Sequence, residues 1–124
     1  MKAYAITDPG RVRTANQDYV YASMEPVGTL PNLFIVADGM GGHQAGDYAS
    51  RYIVEHLEEQ LKSATEPQIV PLLRDEILNV NSMLYRESLN KAELNGMGST
   101  LVAAVIEDNI LYVANVGDSR LYLV

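Results

Sequence analysis

The sequence predicts an α+β protein in which antiparallel strands carry an antiparallel helix pair, and three observations lead there. Short apolar runs rich in β-branched and aromatic residues lie toward both ends of the chain. The middle, about 44–94, instead carries apolar residues at a helical period. Clusters of Gly, Pro, Asn and Asp separate the runs. The resulting order, β-β-β, α-α, β-β-β, suits helices packed on an antiparallel sheet.

The first strands are expected at 3–7, at Tyr19-Val20-Tyr21-Ala22-Ser23-Met24, and at 33–37. The last of these is continuously apolar, as in a strand covered on both faces. Ala49, Ile53, Leu57 and Leu61 then recur every fourth residue, with Glu55, Glu58, Glu59 and Lys62 between them. Ile69, Leu73, Ile77, Val80 and Leu84 form a second stripe. These place helices at about 44–63 and 66–94. Thr65-Glu66-Pro67 suits the second start, with a hydroxyl near the cap and proline in the first turn, and Asn95-Gly96 suits its end. Strands follow at 101–106, 110–115 and 121–124, turning at Glu107-Asp108-Asn109 and Gly117-Asp118.

A chain of 124 residues suits one domain. Its net charge of −7 argues against a general nucleic-acid binder and against an anionic membrane surface. With no cysteine, disulfides, thiolate metal sites and a cysteine nucleophile are excluded. No signal-peptide pattern follows Met1, and the longest apolar run is far too short to cross a bilayer, so a cytoplasmic location is expected.

The richest segment is Asp38-Gly39-Met40-Gly41-Gly42-His43-Gln44-Ala45-Gly46, directly behind an apolar strand. Asp-Gly is a common turn pair, but this glycine density exceeds what one turn needs. Glycines remove side chains so that backbone groups can face a ligand. Arg13-Thr14-Ala15-Asn16-Gln17-Asp18 precedes a strand: it reads as a solvated loop, or as a second carboxylate for an oxygen-rich metal site with a planar guanidinium for phosphate. Asn115-Val116-Gly117-Asp118-Ser119-Arg120 suits a tight hairpin, which is compatible with a ligand role for Asp118. His43 lies inside the glycine run, where proton transfer is plausible, whereas His56 reads as a helix-surface or partly buried filler.

Taken together, Arg13-x-x-Asn16-Gln17-Asp18, the Asp38–Gly46 run, and Gly98-Ser99-Thr100 followed by Ala114-Asn115-x-Gly117-Asp118-Ser119-Arg120-x-Tyr122 resemble the PP2C (PPM) family of metal-dependent Ser/Thr protein phosphatases in its bacterial form. The resemblance spans essentially the whole chain. It implies part of an α-β-β-α sandwich with two or three Mn²⁺ or Mg²⁺ ions in the complete domain. It implies that Asp38 bridges two metals, that Gly39 gives its carbonyl to one, and that Asp18 supports the same one. Asp118 would help hold a third, Arg13 would grip the substrate phosphate, and His43 is a candidate acid for the leaving group. The implied reaction is attack on phosphoserine or phosphothreonine by a metal-bridging hydroxide, since divalent metals lower the pKa of water and neutralise phosphoryl oxygens. Oxygen donors suit Mg²⁺ and Mn²⁺.

The family's domain is about twice this length, and its second half supplies further aspartates and strands. After Asp118 no acidic residue remains here. Residues 1–124 are therefore expected to be the N-terminal half of one phosphatase domain, with little or no turnover alone. Strands such as 101–106 and 121–124 are expected to lack partners, inviting self-association or pairing with the missing half. Expected partners are phosphoproteins, including eukaryotic-like Ser/Thr kinases and their targets, with no nucleic acid and no membrane. Two other readings stand beside the enzyme: a pseudophosphatase or regulatory fragment without turnover, and an interaction module whose glycine run is only a turn.

Overall fold

The computed structural model describes residues 18–40, 43–91 and 97–116. Strands β1 (Asp18–Ser23) and β2 (Leu33–Met40) are followed by helices α1 (His43–Ser63) and α2 (Ile69–Asn90), then by strands β3 (Gly98–Glu107) and β4 (Ile110–Val116). The strands form one antiparallel sheet in the order β1-β2-β3-β4. The α+β class and the helix pair agree with the sequence reading. The strand expected at 3–7 and that at 121–124 lie outside the described residues.

The helices cover one face of the sheet. Leu33, Ile35 and Ala37 of β2 and Leu101, Ala103 and Val105 of β3 point into a core filled by Ala49, Ile53, Leu57 and Leu61 of α1 and Leu73, Ile77, Val80 and Leu84 of α2. Both predicted helical stripes are thus buried. The alternate residues of β2 face away from the helices, and Val36 is 43% exposed, so the described residues cover only one face of this apolar strand. Its continuity reflects a second apolar face, which Val113 of β4 extends.

Two boundaries differ from expectation. The second helix begins at Ile69 behind the extended cap residue Gln68, not at 66, and no side chain caps it. Pro71 explains this. A helix starting at 66 would bury Pro71 in its interior, losing a hydrogen bond and clashing with the preceding turn; a start at Ile69 puts it in the first turn, where no N–H is needed. The helix ends at Asn90 with Lys91 extended, short of 94; Asn95-Gly96 lies outside the described residues.

Strand β3 is central rather than an exposed edge, because it pairs with β2 on one side and β4 on the other. Among the described residues the edges are β1 and β4. The β3–β4 turn is Asp108-Asn109, with φ of 53° and 64°. Two consecutive left-handed residues make the turn that matches strand twist, and Asp and Asn tolerate it.

The loop before β2 ties down the far end of the sheet. Val27 and Leu30 exchange backbone hydrogen bonds of 2.9 and 3.0 Å around Gly28. Gly28 has φ of +60° and lies against the Leu61 carbonyl, where a Cβ would overlap. Thr29 Oγ1 donates to the Glu66 carbonyl at 2.7 Å, pinning the link between the helices. Asn32, buried, donates through Nδ2 to the Ile106 carbonyl and accepts from the Ile106 N–H, both at 2.8 Å, so one side chain prolongs the β2–β3 ladder.

Candidate functional site

The opposite end of the sheet gathers the motif residues. Asp38 is half-buried near the C-terminal end of β2. Across the β1 ladder it pairs with Asp18, the first residue of that strand. Across the β3 ladder it pairs with Thr100, while Gly39 pairs with Ser99 and Met40 with Gly98. Asp18, Asp38 and Thr100 thus form a row across three strands. Val116, which closes β4, pairs with Leu101, so the fourth strand also ends here.

Hydroxyls converge on the backbone of this corner. Thr100 Oγ1 and Ser99 Oγ both lie 3.4 Å from the Asp38 carbonyl, long for O–H···O bonds. Ser99 Oγ donates more closely to the Thr100 carbonyl, at 2.8 Å. Thr100 is buried, so its hydroxyl sits in a low-dielectric setting beside a carboxylate-bearing residue.

Gly39 is buried, and a Cβ built on it would overlap the carbonyl of Gly46 in the first turns of α1. Strand end and helix start therefore meet backbone to backbone. The sequence suggested that the glycine run clears space for a ligand; for Gly39 and Gly46 the space is taken by helix–strand packing. His43 is the first residue of α1. Arg13 and Asp118 lie outside the described residues, so the structure brings together Asp18, Asp38 and Gly39 and places His43 at the adjoining helix start.

The carboxylates and a glycine carbonyl are hard oxygen donors, the type that Mg²⁺ and Mn²⁺ take. Like charges at opposed ladder positions disfavour pairing by themselves. Among the described residues no group of three or more His, Cys, Asp or Glu side chains is gathered tightly enough to hold a metal. The donor set fits in kind and is incomplete in number.

Sequence reasoning missed one polar contact near this corner. Tyr48 of α1 donates its hydroxyl to Glu87 Oε1 of α2 at 2.7 Å. That bond holds the phenol proton and, with burial, pushes its pKa up to about 12. Burial likewise raises the Tyr52 pKa. Tyr48 stacks on Tyr52, with ring centroids 5.9 Å apart, and Tyr52 stacks on His56 at 3.8 Å. His56 is half-buried with Nδ1 2.9 Å from the Tyr52 carbonyl, in keeping with a structural filler. No local pattern marks Tyr48 and Glu87 as partners. The helical period puts Tyr48 one turn before Tyr52, and only the tertiary fold brings Glu87 to it.

Comparison with known proteins agrees with this geometry. The family model described as protein phosphatase 2C matches residues 23–124. The serine/threonine phosphatase stp of Listeria welshimeri is 41% identical over 99% of this chain and 50% of its own length. The crystal structure of serine/threonine phosphatase Stp1 from Staphylococcus aureus superposes with a TM-score of 0.80 at 32% identity, over 93% of this chain and 46% of that one. The catalytic domain of the serine/threonine protein phosphatase PstP, solved in complex with two manganese ions, gives 0.75 at 33% identity over 93% and 47%. The chain spans about half the length of the curated phosphatases stp and PhpP that it matches. A sheet end built from Asp18, Asp38-Gly39 and Ser99-Thr100, together with a family match over most of its residues, makes this chain a member of the protein phosphatase 2C family.

Proposed function

We propose that this chain supplies one half of a metal-dependent protein serine/threonine phosphatase domain that hydrolyses phosphoserine and phosphothreonine. The single observation that carries the reading is Asp38-Gly39 at a sheet end, opposed by Asp18 and braced by Thr100. Asp38, the Gly39 carbonyl and Asp18 would hold Mn²⁺ or Mg²⁺, with Asp118 serving a third ion. Bound divalent ions would lower the pKa of water and neutralise phosphoryl oxygens. Arg13 binds and orients the phosphate through its planar guanidinium. His43 gives a proton to the departing serine or threonine oxygen. The β3 ladder, with Thr100 and Ser99 opposite Asp38 and Gly39, holds the backbone that carries the carboxylate.

The remaining metal ligands belong, in this reading, to the stretch that the relatives have and this chain does not span. The outer sheet face, with Val36 43% and Val113 48% exposed, supports packing against such a stretch or against a second copy. Phosphoproteins, including eukaryotic-like kinases and their targets, are the proposed substrates. A cytoplasmic location, where ATP-dependent kinases phosphorylate them, belongs to the same reading. Among the described residues no helix is long and apolar enough to cross a membrane.

Titrating Mn²⁺ into the chain by calorimetry, with Asp38→Ala as the control, tests the reading directly. Binding lost in the variant is expected; equal binding by both proteins overturns the assignment. Turnover of a phenyl phosphate ester with Mn²⁺ is expected to be weak for the chain alone and strong once it is combined with the second half of a stp-type relative.

A further inference from the structure

We propose that Tyr48 and Glu87 are positioning residues: their hydrogen bond braces the first turns of α1, holds Gly46 against Gly39, and so fixes the strand end that carries Asp38. The inference rests on the phosphatase reading of that corner, and deepens it.

The contact between Gly39 and Gly46 is backbone on backbone. Neither residue has a side chain to interlock, so the contact resists sliding or tilting of the helix poorly. Ala45 and Ala49 seat the same stretch of α1 on the core, but they too are small, so a longer side chain is left to resist tilting. Tyr48 is two residues past Gly46, in the same part of the helix, and its hydroxyl reaches Glu87 across 39 positions of sequence. Among the described residues this is the only side-chain hydrogen bond that joins the two helices. The acceptor is anchored, because α2 is held to the core by Leu72, Leu73, Ile77, Val80 and Leu84. The donor is restrained too: Tyr48 stacks on Tyr52, and Tyr52 on His56, so the phenol has little freedom to swing away. A charged acceptor makes the bond stronger than a neutral one.

The chain of contacts therefore runs from α2 through Glu87 and Tyr48 to Gly46, then to Gly39 and Asp38. A loss of the hydroxyl frees the helix start without removing any group from the metal corner. A helix turn that is merely stabilised would loosen along its whole length. A brace loosens its own end.

The test is amide hydrogen exchange on the metal-free chain, followed by Mn²⁺ titration, for Tyr48→Phe, Glu87→Leu and Glu87→Gln. In Tyr48→Phe and Glu87→Leu, exchange at Gly39 and at residues 45–49 is expected to rise about tenfold, while Leu57 and Leu61 stay within about twofold. Glu87→Gln, which keeps an acceptor, is expected to show a smaller rise at the same amides, and it decides the matter if Tyr48→Phe does not fold. The Mn²⁺ concentration at half-saturation should rise in the same order. Exchange that rises uniformly along α1, or that is unchanged at Gly39, overturns the brace. If wild type fails to bind Mn²⁺ even when combined with the second half of a stp-type relative, the phosphatase reading of the corner fails, and the exchange pattern judges the brace separately.

Discussion

Strands β2 and β3 run side by side, yet their two ends are built for different purposes. At one end Asn32 is buried, and both of its amide groups are matched to the backbone of Ile106 at 2.8 Å. At the other end Asp38 is half-buried, faces a second aspartate across the β1 ladder, and has hydroxyls at 3.4 Å from its carbonyl. The first end closes its polar groups among themselves. The second sets two aspartates at opposed backbone positions, the feature on which the proposed metal site rests.

Breaking the comparison at the metal end should have the largest effect. Gly39→Ala sets a Cβ against the Gly46 carbonyl, so helix and strand must part; about 3 kcal/mol of destabilisation is expected. A lower urea midpoint at unchanged slope would register it. A fully stable Gly39→Ala protein would mean that the corner is not closed by backbone contact. At the far end, Asn32→Ala leaves a void and takes their side-chain partner from the partly buried Ile106 N–H and carbonyl, at about 2 kcal/mol. Mn²⁺ binding should survive this change once the protein is folded. Parallel loss of metal binding and stability would erase the distinction between the ends.

The smallest effect is a pH dependence. The Tyr48 pKa is raised by its bond to Glu87, so the fold favours the protonated phenol. Its contribution is complete below the unfolded value near 10 and is lost as pH climbs toward about 12. Because the ring is only half-buried, about 1 kcal/mol is expected after solvent screening. Melting of wild type and Tyr48→Phe at pH 9 and pH 11.5 should show a gap that narrows at the higher pH; a constant gap excludes the bond as its source.

Much of this was legible because it is local. The stripe from Ala49 to Leu61 announced α1, and the Asp38 run announced a special strand end by its glycines. What escaped depends on distant partners. Asn32 gave no sign that it would prolong a ladder with Ile106, 74 positions away. The start of α2 escapes a local reading because Pro67 and Pro71 both suit a first turn, and only the requirement that neither sit in the helix interior chooses between them. The glycine run reads locally as room for a ligand, and only the fold shows that Gly39 and Gly46 meet one another.

The connection between β2 and β3 carries a temporal consequence. Both helices intervene, so Asp38 meets Thr100 only across 62 positions of chain. Closing so long a loop costs entropy that local helix contacts do not. During synthesis α1 and α2 leave the ribosome before β3 does, and Asp38 then lacks the Ser99 and Thr100 hydroxyls that fix its backbone. The Asp38 corner is thus among the last features a newborn chain can complete, whereas the helix pair can form as soon as its own residues emerge.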